Sequence, residues 1–297
     1  MLKSFKQRHL KQCLARSYIK YMNLKLVILV DLGGTNCSAT IRDFNGRKVL
    51  RGIVKSEYCV KVNPGKKGVL SALNDVLKNY VNILEYVDIR IALPGVIYDK
   101  KVSMPNLLIR DWELAKELMS LFKIDNLILI NDAIASFKGE KTDGTVIRIG
   151  TGIGGAEKNL NIEFGRSIKI PSLKYTYLSK SKEVLENYAS GKALKNVGES
   201  KGIFIKCEDN EYAQKLNELA VSGNVLAQKI ISDAGGLVGK AIRSYHKHKG
   251  YNDSREYIIS GSLGLNELYF KGIKENSKLN IKKSKYKGSE AIYLGLV

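Results

Sequence analysis

The sequence has no apolar run of membrane-spanning length. Its longest uninterrupted stretch, Leu26 to Val30, is far short of the roughly 20 residues that a bilayer-crossing helix needs. Cysteine is scarce and scattered: Cys13, Cys37, Cys59 and Cys207 include no CxxC pair, which argues against both a disulfide framework and a cysteine-based zinc site. There are only 4 prolines and 3 histidines. Acid is also in short supply, with 29 Asp+Glu against 49 Lys+Arg and a net charge of +20.

A field this positive attracts polyanions, so nucleic acid, anionic membranes and phosphorylated metabolites all enter as partners. The excess is dispersed, however, and densest in the first 22 residues and from Lys271 to Lys287. A solvated lysine-rich surface is the favoured reading. What is plentiful is ordinary: 44% hydrophobic residues and 27 glycines, enough for a packed core and against wholesale disorder or a fibrous repeat. At roughly 100–200 residues per domain, 297 residues predict two compact units. The basic, acid-free residues 1–22 contain no secretory h-region and read as an extension ahead of Met22, outside the fold argument.

From Leu24 the chain reads as a strand running to Val30, a glycine turn at Asp31–Asn36, an alternating strand from Cys37 to Phe44, an Asn45-Gly46 turn, and a third strand over Lys48–Lys55. Helical spacing follows over 69–87, then a strand over 87–93 stopped by Pro94-Gly95, a helix over 112–122, and a strand over 126–130 feeding a helix over 133–138. The second half opens in the same way, with a strand over 145–149 emptying into Gly150–Gly155 and then a hairpin. Helices are predicted at 183–190, 211–221 and 223–246, and a late strand over 257–260 enters Gly261. A boundary near Ala133–Thr145 divides the halves, giving an N-terminal lobe over 23–133 and a C-terminal lobe over 134–297 whose last residues could return to the first.

Glycine lets backbone amides approach an anion closely, so both glycine turns suit phosphate, although each could equally be a bare structural turn. Gly150, Gly152 and Gly155 satisfy GxGxxG, but a hairpin follows where a dinucleotide fold needs a helix, and Pro171 comes soon after. Asp31 and Asp132 each end a strand, the usual place for working residues in an α/β sheet. One carboxylate could hold Mg²⁺ through water while another takes a proton from an acceptor hydroxyl. Asp132 could also be the N-cap of the helix that follows. His246 and His248 read as a solvated basic helix end, and Trp112 is assigned no role.

The segments VDLGGTN (30–36), LPG (93–95), PNL (105–107), INDAIAS (130–136), GTGIGG (150–155), EFG (163–165) and ENYASG (186–191) occur in the order seen in the ROK family, over about Leu26 to Gly264. The chain thus resembles the sugar kinases and sugar-responsive repressors of the actin-like ATPase superfamily. The resemblance implies an α/β, two-lobed, ribonuclease H-like fold in which ATP and sugar meet in a cleft. It implies ATP-dependent phosphorylation of a hexose 6-hydroxyl, with glucose first and N-acetylglucosamine or N-acetylmannosamine as alternatives. A sugar-sensing regulator of the same family is the rival, and a silent sugar binder a second one.

By resemblance, Gly33, Gly34 and Thr35 form the first phosphate turn and Gly150, Thr151, Gly152 and Gly154 the second, with Gly261 on the adenosine side. Asp31 is the water-mediated magnesium carboxylate and Asp132 the general base. Asn106, Asn131, Glu163 and Glu186 bind sugar hydroxyls alongside Asp132. Arg166 stands where the family has a histidine, and the cysteine-rich segment before the second glutamate is missing, so no structural zinc is expected. A cytoplasmic homodimer binding neither specific nucleic acid nor membrane completes the expectation.

Overall fold

The computed structural model describes residues 26–43, 45, 57–80, 87–158, 160–170, 172–176, 182–209 and 211–297. The extension over 1–22 and the strand expected over 48–55 lie outside them, as does the end of the helix expected over 69–87. The chain divides into two compact units, one running up to Ala135 and including Ile292–Val297, the other Ser136–Ala291.

The first unit is built on β1 (Leu26–Leu32), β2 (Asn36–Asp43), β3 (Glu57–Lys61), β4 (Asp88–Leu93), a small antiparallel sheet of β5 (Val96–Tyr98), β6 (Lys101–Met104) and β7 (Ile109–Trp112), and then β8 (Leu127–Asn131). Its main sheet has the order β3-β2-β1-β4-β8. The first three strands form an antiparallel meander, but its third strand is Glu57–Lys61 and not the expected 48–55, while β4 and β8 add in parallel. All seven residues of β1 are buried, so the strand feeds two cores by alternation. Leu26, Ile28, Val30 and Leu32 pack with Val69, Leu73, Val76 and Leu77 of α1 (Lys66–Leu77). Val27 and Leu29 face the other way and pack with Ala92, Ala135, Ile292, Tyr293 and Leu296. Each fully buried aliphatic side chain contributes about 1.5–3 kcal/mol, so the returning C-terminal residues are integral to this unit. Arg90 Nη1 donates to the carbonyls of Leu296 at 2.5 Å and Val297 at 2.6 Å, fixing them against β4.

One expectation needs correction here. Trp112 does not open a helix but ends β7, and α2 covers Leu114–Phe122. The Trp112 ring is buried in the core, with Nε1 donating to Glu117 at 2.6 Å. α3 (Asp132–Glu140) then follows β8 directly.

The second unit carries β9 (Thr145–Ile149), β10 (Ile153–Glu157) and β11 (Leu160–Ile162), then α4 (Phe164–Ser167) and the short pair β12 (Ile168–Lys169) and β13 (Lys174–Tyr175). Next come α5 (Glu186–Ala189), α6 (Ala193–Ser200), α7 (Tyr212–Val221), α8 (Val225–Lys249), β14 (Glu256–Ser260), α9 (Glu267–Ser277) and β15 (Asn280–Lys283), with α10 (Glu290–Leu296) crossing back into the first unit. The helix expected over 183–190 shrinks to α5, because Ser190 is extended before α6 begins. The main sheet has the order β11-β10-β9-β14-β15, with β9, β14 and β15 parallel. Helix boundaries follow local chemistry. The Asn224 side chain caps α8 by accepting from Ala227 N at 2.9 Å, and Gly250, at φ 64°, ends it.

His246 does not sit on a solvated helix end. It is buried on α8, with Nδ1 3.1 Å from Tyr257 Oη, because α8 continues to Lys249 and that face packs on β14. His248 is exposed, its ring 4.9 Å from that of Tyr175. Beneath the sheet lies a polar cluster in which the buried Glu157 carboxylate accepts from Tyr245 Oη at 2.9 Å, Tyr251 Oη at 2.7 Å, Thr145 Oγ1 at 3.1 Å and Arg255 Nη2 at 2.7 Å. Burial, followed by the adjacent Glu157 charge, pushes the Tyr245 hydroxyl far above the usual phenol range, consistent with its role as donor. Among the described residues no helix is long and apolar enough to cross a membrane.

Candidate functional site

In the first unit the expected site residues Asp31 and Asp132 lie at the carboxyl ends of the strands β1 and β8. Asp31 on β1 pairs with Ala92 of β4, which pairs with Ile130 of β8, so Asp31 and Asp132 flank one sheet edge with a strand between them. Asp31 is buried (5% exposed) near the end of an apolar strand. Immediately after it the chain turns tightly, with Gly33 N–H donating to Asn36 O at 2.8 Å, and Thr35 O accepting from Val62 N–H at 2.8 Å anchors the turn to the chain beyond β3.

Asn131 and Asp132 divide their labour. Asn131 Oδ1 accepts from Ala133 N at 2.9 Å and Ile134 N at 3.1 Å, so Asn131, not Asp132, caps α3. Asn131 Nδ2 donates to Gly95 O at 2.7 Å, committing much of this expected sugar ligand to the protein itself. Asp132 sits half-buried in the first helical turn, where the helix dipole favours its charge. Gly95, at φ 109°, packs so tightly that a Cβ there would overlap Ser103 O and lie 3.1 Å from Met104 Cα. The Pro105–Leu107 turn that carries Asn106 follows directly, so Asn131 and Gly95 together seat Asn106. Gly95→Ala is expected to destabilise the first unit by about 1–3 kcal/mol, from a strained φ and a backbone overlap. Denaturant unfolding would measure it.

In the second unit, the parallel pairing of β9 and β14 brings the turns after both strands to the same edge. Gly150 N–H donates to Gly152 O at 3.0 Å, closing the first of these turns, and a Cβ on Gly150 would meet nothing within 4 Å. The backbone at Gly150 is therefore open on the side that a side chain would occupy. Gly261, at φ 85°, lies against Ile149 O, which also accepts from Leu263 N and Gly264 N at 3.1 Å each. The two turns expected to hold nucleotide are thus tied to one carbonyl.

The glutamate segments converge on the first of these turns. Gly191 N–H donates to Gly150 O at 2.8 Å and Lys192 N–H to Thr151 O at 3.2 Å. Glu186 Oε2 accepts from Ile153 N–H at 3.0 Å, and its Oε1 accepts from Arg166 Nε at 3.1 Å. Glu163 caps the start of α4 through its own carbonyl, and its Oε1 accepts from Asn161 Nδ2 at 3.0 Å. Burial raises the Glu163 carboxyl above the usual carboxylate range and Glu186 adds to the rise, while the Asn161 hydrogen bond and Arg166 oppose it. Asn161 was missed from the sequence, although it lies two positions before Glu163 on an alternating strand. No group of three or more His, Cys, Asp or Glu side chains gathers as a metal cluster among the described residues.

The sheets and their turns give a mixed α/β protein, and the solved structures it is similar to show the actin-like ATPase fold. The ROK family model matches residues 27–164. Among solved structures it is similar to a ROK family glucokinase from Streptomyces griseus in complex with glucose and AMPPNP, at 22% identity and TM-score 0.71, covering 91% of this chain and 98% of that one. A ROK hexokinase from Thermus thermophilus is similar at 18% identity and TM-score 0.61, covering 91% and 96% of the two chains. A ROK transcriptional regulator, a homologue of the Escherichia coli MLC protein, is similar at 18% identity and TM-score 0.63, covering 91% of this chain and 79% of that one. No curated protein matches the sequence significantly.

Proposed function

We propose that the protein is an ATP-dependent hexose kinase acting on a 6-hydroxyl group, with glucose as the first substrate and N-acetylglucosamine or N-acetylmannosamine as alternatives. The observation that carries this reading is the pairing at the end of β8: Asn131 caps the helix, and Asp132 beside it is a half-buried carboxylate at a strand terminus. Its support in kind is the likeness to a glucokinase solved with glucose and a nucleotide analogue.

Bound Mg-ATP supplies the γ-phosphoryl group. Asp132 accepts the proton of the sugar hydroxyl as the new oxygen–phosphorus bond forms and the bond to the β-phosphate oxygen breaks. The backbone at Gly33, Gly34 and Thr35, and at Gly150, Thr151, Gly152 and Gly154, holds phosphate oxygens, and Gly261 borders the adenosine side. Asp31 would hold Mg²⁺, which would offset the charge of the phosphate oxygens. Asn106, Glu163 and Glu186 orient the sugar, which turns encounter into a near-attack geometry.

A coupled assay of ADP release from Mg-ATP across a panel of hexoses tests this, and glucose is expected to give the fastest turnover. Hexose binding without any hexose-dependent ADP release would overturn the kinase reading in favour of a sugar sensor.

The raised Glu163 carboxyl gives a pH signature. The ionised form is the stronger acceptor and protonation converts one acceptor position into a donor, so sugar affinity is expected to fall with acidification, starting at higher pH than an ordinary glutamate would cause. Below that point the loss approaches about tenfold per pH unit. The stability effect has the opposite sign. A carboxyl raised in the folded state costs stability while ionised, and that cost vanishes as pH falls through its folded value. Calorimetric titration of hexose between neutral and mildly acidic pH reads the first effect, and melting without sugar reads the second.

A further inference from the structure

Two glutamates assigned to one sugar pose an electrostatic problem within the second unit. Glu163 is largely buried, Glu186 is nearly so, and the Glu186 charge disfavours the charged form of Glu163. The chain places one cation on both. Arg166 N–H donates to Glu163 O at 2.9 Å, fixing its backbone to the first glutamate, while its Nε donates to Glu186 Oε1 at 3.1 Å. Its charge also opposes the rise in the Glu163 carboxyl.

Glu186 is thereby pinned at both oxygens, by a guanidinium on one side and by Ile153 N–H of the glycine turn on the other. The fit is close. A Cβ at Gly165, between Glu163 and Arg166, would stand 2.7 Å from Ile153 O and 3.0 Å from Glu186 Cβ. A single carboxylate direction is therefore selected, and lone pairs remain on both oxygens for further donors.

We propose that Arg166 is a positioning residue for hexose binding: tied by its backbone to Glu163, it aims the Glu186 carboxylate. The inference rests on the assignment of both glutamates to the sugar. It assigns Arg166 no contact with the reacting atoms, so its loss should act on sugar affinity and leave the chemical step intact.

The test compares full-length wild type, Arg166→Gln and Arg166→Lys, each checked for folding by thermal melting. Removing a charge-assisted hydrogen bond of this kind is expected to raise the sugar KM of Arg166→Gln about tenfold to a hundredfold, with kcat within about threefold of wild type. The acid limb of its sugar affinity should move to higher pH, because Glu163 loses the cation that favours its charge. Arg166→Lys restores the charge without the planar guanidinium, so its acid limb should return to the wild-type position while its KM stays raised.

A folded Arg166→Gln protein with wild-type KM and an unmoved acid limb would overturn the inference. If the glutamine variant does not fold, the lysine variant decides: wild-type KM overturns it, and raised KM with an unmoved limb supports it. Failure of the wild-type protein to bind any hexose would instead strike the kinase reading itself, before any variant is compared.

Discussion

Asp132→Ala is expected to reduce turnover by about 10²–10⁴-fold, the usual contribution of a positioned general base, while hexose affinity changes only a few-fold. The second half of that expectation comes from the local structure. The cap of α3 is Asn131, whose Oδ1 takes the first helical amides, so removing Asp132 leaves the helix start intact. What is lost is a favourable charge in the first turn, worth about 0.3–1 kcal/mol, too little to unfold the unit. Asp132→Asn sharpens the test, because it keeps the shape and the capacity to hydrogen-bond but cannot take a proton. Both variants should bind hexose in calorimetry and fail in the ADP-release assay. Turnover within tenfold of wild type in either variant would remove the base from this position and the mechanism with it. The neighbouring Asn131→Ala variant should behave differently, losing stability through the cap and the Gly95 tie.

The division of labour between Asn131 and Asp132 marks the limit of what the sequence could disclose. Either residue can cap a helix, and only the backbone path out of β8 decides which one does. The strands feeding glycine turns were legible because strands buried on both faces leave nearly continuous branched apolar runs, as in β1 and β9. The small sheet of β5, β6 and β7 was not, because three- and four-residue strands carry too little periodicity, and Asp99, Lys100, Leu108 and Asp111 adopt positive φ without a glycine to announce it. His246 misled for a related reason: the basic residues around it are solvated, while its own face of α8 is not. Arg166 was visible as a departure from a motif, but its partner Glu186 lies 20 residues away, across a close approach that only the fold creates.

Glu157 gave no sequence signal, and the largest stability effect is expected there. Its four donors come from β9, α8, the chain after α8 and the residue just before β14, at separations of up to 98 residues. They fill the accepting capacity of one carboxylate. Arg255 is bound in turn to Thr145 Oγ1 at 3.1 Å and Gly144 O at 3.0 Å, and its guanidinium stands 3.9 Å from the Tyr251 ring centre. Glu157→Ala therefore strands a half-buried cation and three hydroxyl donors at once. Breaking a buried pair from one side costs about 3–5 kcal/mol, which for a unit of this size lowers Tm by roughly 6–20 °C. The two units can melt separately, so the loss is best followed by amide exchange on β9, β10 and β14, with β1 and β4 as internal reference. The double variant Glu157→Leu with Arg255→Leu should recover much of the loss, because replacing both charges with apolar groups of similar volume removes the stranded cation. Exchange in β9 and β14 unchanged by Glu157→Ala would show that the carboxylate is incidental to the sheet, and the strand ends that carry Gly150 and Gly261 would need another source of rigidity.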